Sequence, residues 1–118
     1  MSNIEEEARK FMQDKLIAPE VMTADFYEVQ AGQTAIFPKD KALEYLALGM
    51  TSEAGEVAGK VKKLIRDGED VEGFEMKKLL IADEIGDVLW YCAMMAKEVG
   101  VPLSSVMQGN LNKLHGRK

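Results

Sequence analysis

Apolar residues recur at three- and four-residue spacings along nearly the whole chain, and no segment alternates with the period of two that a half-buried strand requires. The pattern predicts an all-α protein. Residues 2–17 read as a short, highly charged first helix with Phe11, Met12, Leu16 and Ile17 on its sticky side, ended near Pro19. A second helix starts at Thr23, a suitable N-cap with Asp25 in the first turn, and runs through Phe26, Tyr27 and Gln30 to about Ile36 before Pro38. The third runs from about Lys41 to Arg66, with Leu43, Leu46, Ala47, Met50, Ala54, Val57, Val61, Leu64 and Ile65 on one stripe. Residues 66–70 form its closing turn, Gly68 being suited to a left-handed position. A fourth helix spans about Phe74 to Val99 and is closed by Gly100 and Pro102; a last one runs from about Leu103 to Leu114 with Val106, Met107, Leu111 and Leu114 inward. With no repeat or linker, residues 21–118 form one domain behind an extension of residues 1–20. The expected architecture is an antiparallel hairpin of the third and fourth helices, flanked by the second and the last.

The fourth helix is apolar nearly all round from Leu79 to Ala96, so it is the expected buried centre. That stretch has no lysine or arginine, yet Asp83, Glu84 and Asp87 fall within one quadrant, on the side of Leu80, Tyr91 and Met94. On the third helix Glu53 lies at the edge of the apolar stripe, with Glu56, Lys60 and Lys63 further round. An unpaired buried carboxylate costs several kcal/mol, so such groups persist through neutralisation, basic partners or a bound cation. Acids three apart are helix neighbours, and two facing pairs make an all-oxygen site suited to Mg²⁺ foremost and Mn²⁺ next. Iron is disfavoured: di-iron bundles use Glu-x-x-His pairs, and the single histidine, His115, lies near the C-terminus.

Plainer roles compete with these. Glu53 and Glu56 alone suit an exposed helix surface, a reading that the apolar setting of Glu84 and Asp87 resists. Lys60, Lys62, Lys63 and Arg66 form a solvated face, contact phosphate, or neutralise Glu56 one turn away. Trp90 and Tyr91 serve the core or stack on a base. Gly49, Gly55 and Gly59 each weaken a helix interior and suggest close approach by another backbone or a ligand, though tight helix packing explains them equally.

Composition narrows the function classes. The 118 residues fit one domain with a modest core, for which help from a partner subunit is unsurprising. A net charge of −5 and a pI near 4.9 argue against a general nucleic-acid or anionic-membrane binder. Cys92 is the sole cysteine and reads as a small core residue, so no intrachain disulfide forms and a reducing compartment is expected. The acidic N-terminus lacks the order of a signal peptide, and no apolar run approaches the roughly 18 residues that span a bilayer. The expectation is a soluble cytoplasmic protein.

Together, Leu46-x-x-x-Met50-Thr51-Ser52-Glu53-Ala54-Gly55-Glu56-Val57 and Asp83-Glu84-Ile85-Gly86-Asp87-Val88-Leu89-Trp90-Tyr91 closely resemble the MazG-like all-α nucleotide pyrophosphohydrolases. That family's signature is ExxE followed by ExxD, and Glu53, Glu56, Glu84 and Asp87 match it. The likeness covers roughly residues 21–117, with a weaker first-helix match at Tyr27-x-x-Gln30-Ala31 and a weaker tail match at Asn110-Leu111-x-Lys113-Leu114. The resemblance implies a four-helix core that hydrolyses a nucleoside triphosphate between its α and β phosphates, giving the monophosphate and pyrophosphate. It implies Glu53, Glu56, Glu84 and Asp87 as Mg²⁺ ligands, with Glu53 or Glu56 orienting or deprotonating water, and Asp83 either supporting them from behind or acting as an additional ligand. It points to Lys60, Lys63, Asn110 and Lys113 for triphosphate or sugar contacts, to Tyr27, Gln30 and Trp90 around the substrate, and to a homodimer or homotetramer. Two other classes stay open: a non-catalytic helical interaction module that keeps the metal site, and a sensor that binds a nucleotide and returns it unchanged.

Overall fold

The computed structural model describes residues 4, 6, 7, 19–68 and 73–117. Ile4, Glu6 and Glu7 have helical backbone; the rest of the expected first helix, and residues 69 and 70 of the expected turn, lie outside the described residues. Four helices lie wholly within them: α1 (Ala24–Gly32), α2 (Ala42–Asp67), α3 (Phe74–Val99) and α4 (Leu103–His115), with a 3-10 turn over Lys39–Lys41. Among the described residues there is no strand, and no helix is long and apolar enough to cross a membrane. The all-α expectation holds, and the long helices begin and end within a residue of their expected bounds.

Local chemistry explains most of the boundaries. The Thr23 hydroxyl accepts from Phe26 N–H at 3.0 Å, which caps α1. That helix stops at Gly32, short of the expected Ile36, because the N–H groups of Gln33, Thr34 and Ala35 turn back to the carbonyls of Gln30, Ala31 and Gly32. Gly68 and Gly100 close α2 and α3 at φ of +85° and +84°, a region in which a side chain is strained.

The hairpin of α2 and α3 is the body of the fold, and α1 and α4 both pack on α3 and on each other. Leu46, Ala93, Met94, Ala96, Ala31 and Leu103 make the core, flanked by Tyr27, Phe37, Trp90, Tyr91 and Met95. Glu28 of α1 accepts from Leu103 N–H at 2.8 Å, so a side chain from one flanking helix caps the other.

Four expectations need correction. Of the stripe expected to face inward on α2 only Leu46 is buried, and Leu43, Val61 and Ile65 stand 50%, 40% and 80% exposed. The apolar circumference of α3 is covered on one side only: Leu79, Ala93, Met94 and Ala96 are buried, whereas Ile85 and Leu89 stand 55% and 43% exposed. On α4 only Leu103 is buried; Val106, Met107, Leu111 and Leu114 face outward because α4 makes no contact with α2. Cys92 is half-buried rather than enclosed. In each case the sequence marks an apolar face correctly, but four helices of one chain cannot cover all of them.

Candidate functional site

The antiparallel register of the hairpin draws the acids together. Carboxylate oxygens of Glu53 on α2 and of Glu84 and Asp87 on α3 lie within 4.8 Å of one another. Glu53 is half-buried and Asp87 exposed, while the Glu84 side chain is only 15% exposed. Glu84 Oε1 accepts from Lys60 Nζ at 3.2 Å, and no donor among the described residues reaches the buried Oε2. Glu56, one turn along α2 from Glu53, is exposed and outside this group of three, although its charge reaches Glu53.

The electrostatics of the group follow from three acids facing one lysine. A hydrogen bond shared with Glu84 holds the Glu53 carboxyl above its usual range, with burial and the charges of Asp87, Glu84 and Glu56 adding to the effect. Asp87 is raised first by burial, then by the charges of Glu84 and Asp83 and a hydrogen bond shared with Glu84, against the opposing pull of Lys60. Three acids around one lysine disfavour one another's ionised forms, and a divalent cation among them would relieve that repulsion. The all-oxygen donors, their convergence and the orphaned Oε2 fit a hard ion of the magnesium type.

Lys60 is the partner that sequence reasoning placed elsewhere: it crosses to Glu84 on α3. A seven-residue step shows the signal. Seven residues on from Lys60 along α2 is Asp67, seven back from Glu84 along α3 is Lys77, and these also pair, at 3.0 Å. The reverse step joins Glu53 to Tyr91, whose phenol is raised by burial, then by Tyr45, then by the charges of Glu53 and Asp87. A constant register over heptads is the expected behaviour of two helices packed antiparallel.

The other candidates are distributed unevenly. Tyr27 faces the acids from α1: burial raises its phenol most, followed by the charge of Asp87. Gln30 is half-buried on the same helix. Trp90 packs on the core, donates its indole N–H to Thr34 Oγ1 at 2.9 Å and Ala31 O at 3.3 Å, and meets Tyr91 edge-on at 4.9 Å. It therefore latches α1 to α3. Lys63 is exposed beside Lys60, and Asn110 and Lys113 are exposed on the outer length of α4. Of the three glycines, only Gly49 marks a close approach: the Tyr91 ring occupies the space a Cβ would need. Gly55 and Gly59 have nothing near that position.

Residues 41–118 match the MazG nucleotide pyrophosphohydrolase domain, a span that contains all four signature acids. The chain belongs to this family. It is also similar to the protein called Gene 37 protein of Mycobacterium phage L5, at 45% identity over 103 residues, which is 82% of this chain and 90% of that one. That name states no activity. No solved structure matches the chain.

Proposed function

We propose that this chain is a Mg²⁺-dependent nucleoside triphosphate pyrophosphohydrolase, cleaving between the α and β phosphates to give a nucleoside monophosphate and pyrophosphate. The observation that carries the reading is the convergence of Glu53, Glu84 and Asp87 from facing helices, with a buried Glu84 oxygen that no donor among the described residues reaches. Membership of a pyrophosphohydrolase family supports it. Glu56 is the fourth ligand on the strength of the signature and its position one turn from Glu53, with Mn²⁺ a possible substitute for Mg²⁺. When bound, such an ion polarises phosphate oxygens and makes water a better nucleophile.

The chain's own groups supply orientation. Glu53 or Glu56 positions the attacking water and takes its proton. The water oxygen bonds to the α-phosphorus, the bridge to the β-phosphate breaks, and its electron pair leaves on pyrophosphate. Lys60 and Lys63 meet the phosphates; Tyr27, Gln30 and the wall around Trp90 bound the nucleoside; Asn110 and Lys113 complete the contacts from α4. A second copy of the chain, in a homodimer or homotetramer, would cover the exposed faces of α3 and α4 and bring α4 residues to the site. A cytoplasmic setting fits the substrate.

A panel of nucleotides assayed with Mg²⁺ and Mn²⁺, with the products separated, tests the proposal. Pyrophosphate with the matching monophosphate supports it; tight binding with the nucleotide recovered intact would make the chain a sensor, and neither would leave an interaction module. Sedimentation mass tests assembly: Leu89→Glu is expected to lower it, and an already monomeric native chain would refute the oligomer.

A further inference from the structure

Three like charges carried by two helices push the hairpin apart unless other contacts hold it at the same level. Towards the turn that hold is the Lys60–Glu84 pair, at 3.2 Å. On the other side it is an aromatic ring. Gly49 lies four residues before Glu53 on α2 and Tyr91 four residues after Asp87 on α3, so each shares a helix face with its acid. A Cβ on Gly49 would meet Cε1, Cζ and Cδ1 of Tyr91, so the ring rests against bare α2 backbone in a notch that glycine alone leaves open. The Tyr91 phenol shares a hydrogen bond with Tyr45, one turn before Gly49, and lies within reach of the charges of Glu53 and Asp87. Tyr45 is stacked in turn on Phe37, with ring centroids 5.8 Å apart and planes at 18°, while Trp90 closes on Tyr91 edge-on at 4.9 Å.

We propose that Tyr91 is a positioning residue for the acids: seated on Gly49 and tied to Tyr45, its ring sets the spacing of α2 and α3 at which Glu53 meets Glu84 and Asp87, and so sets how tightly a divalent cation is held. The inference rests on reading the acids as a divalent-cation site and adds to it a residue that acts through the helices rather than by contact with the ion. Of the three converging acids only Glu53 comes from α2, so a change in helix spacing moves one ligand away from the other two. A site assembled across two elements binds in proportion to the fraction of molecules in which it is assembled, and a ring locked between them raises that fraction before the ion arrives. The lock is steric on the Gly49 side and polar on the Tyr45 side, and the two can be removed separately.

Titration of the full-length protein with Mn²⁺, followed by the electron paramagnetic resonance of the free ion, measures the site without turnover. Tyr91→Leu is expected to weaken Mn²⁺ binding about tenfold, the usual cost of losing a group that supports metal ligands. Tyr91→Phe, which keeps the ring and gives up one hydrogen bond, should retain most of the affinity. Gly49→Ala should weaken binding in the native background and change nothing further once Tyr91→Leu is present, because the clash it creates is with the ring. Leu103→Ala hollows the core beside α4 and should lower the unfolding midpoint while leaving Mn²⁺ binding unchanged. In turnover, Tyr91→Leu should raise the Mg²⁺ concentration needed for half the maximal rate about tenfold and spare the nucleotide KM at saturating Mg²⁺. Native affinity for Mn²⁺ in Tyr91→Leu, an equal loss in Leu103→Ala, or a native protein that binds no Mn²⁺ would overturn the proposal. If Mn²⁺ binds but no nucleotide is cleaved, the functional reading fails and the titration still decides the role of Tyr91.

Discussion

The two ends of one helical hairpin treat carboxylates in opposite ways. At Asp67 a single acid meets two cations, and the hydrogen bonds from Arg66 and then Lys77 hold its pKa far below the usual range. At Glu53, Glu84 and Asp87 three acids meet one lysine, and both Glu53 and Asp87 are pushed up. The helices, the register and the residue types are shared. What differs is the local balance of charge: cations outnumber the acid at one end, and acids outnumber the cation at the other.

The largest expected effect attacks the acidic end directly. Glu84→Gln or Asp87→Asn should lower pyrophosphate release more than about a hundredfold, since even groups that only support metal ligands cost 10- to 100-fold when lost. Far-UV circular dichroism should be unchanged. Normal turnover by both variants would remove the acidic end from the chemistry.

Next in size is a contrast among the glycines of α2. Gly49→Ala drives a methyl into the Tyr91 ring and should cost about 1–3 kcal/mol in urea unfolding. Gly55→Ala meets nothing among the described residues and should gain up to about 1 kcal/mol from helix propensity. Equal effects would mean that the ring does not pack where it lies.

The pH dependence of stability sharpens the comparison further. Raised carboxyls bind protons more tightly in the folded chain than in the unfolded one. Metal-free protein should therefore lose the contribution of Glu53 and Asp87 as pH climbs from the ordinary carboxylate range through their raised values. Mg²⁺ should flatten that loss, and Asp87→Asn should reduce it. A metal-free unfolding midpoint that rose with pH throughout this window, in a variant lacking Asp67, would contradict the repulsion.

The smallest effect belongs to the exposed end. A depressed carboxyl stabilises the fold above its unfolded pKa, and that contribution disappears as pH falls through the folded value. Asp67→Asn should thus slightly lower the unfolding midpoint at neutral pH and make the wild type and the variant converge in acid. The difference should shrink in high salt, as expected of an exposed pair.

The sequence by itself determined the four helices within the described residues, the apolar faces they carry and the two acid pairs, but not which of those faces are covered, because helical periodicity and the cost of placing carboxylates on an apolar face are local properties of the chain. Thr23, Gly68 and Gly100 fixed boundaries for the same reason: a cap or a left-handed turn involves only near neighbours. The partners were decided by tertiary structure. Only the antiparallel register put Lys60 on Glu84 instead of Glu56, set the Tyr91 ring against Gly49 and assembled Arg66, Asp67 and Lys77 around a cleft, and only the docking of α1 on α3 tied Trp90 to Thr34. Those pairings depend on how far one helix slides and turns against another, a sum over many weak contacts that no short window of residues contains.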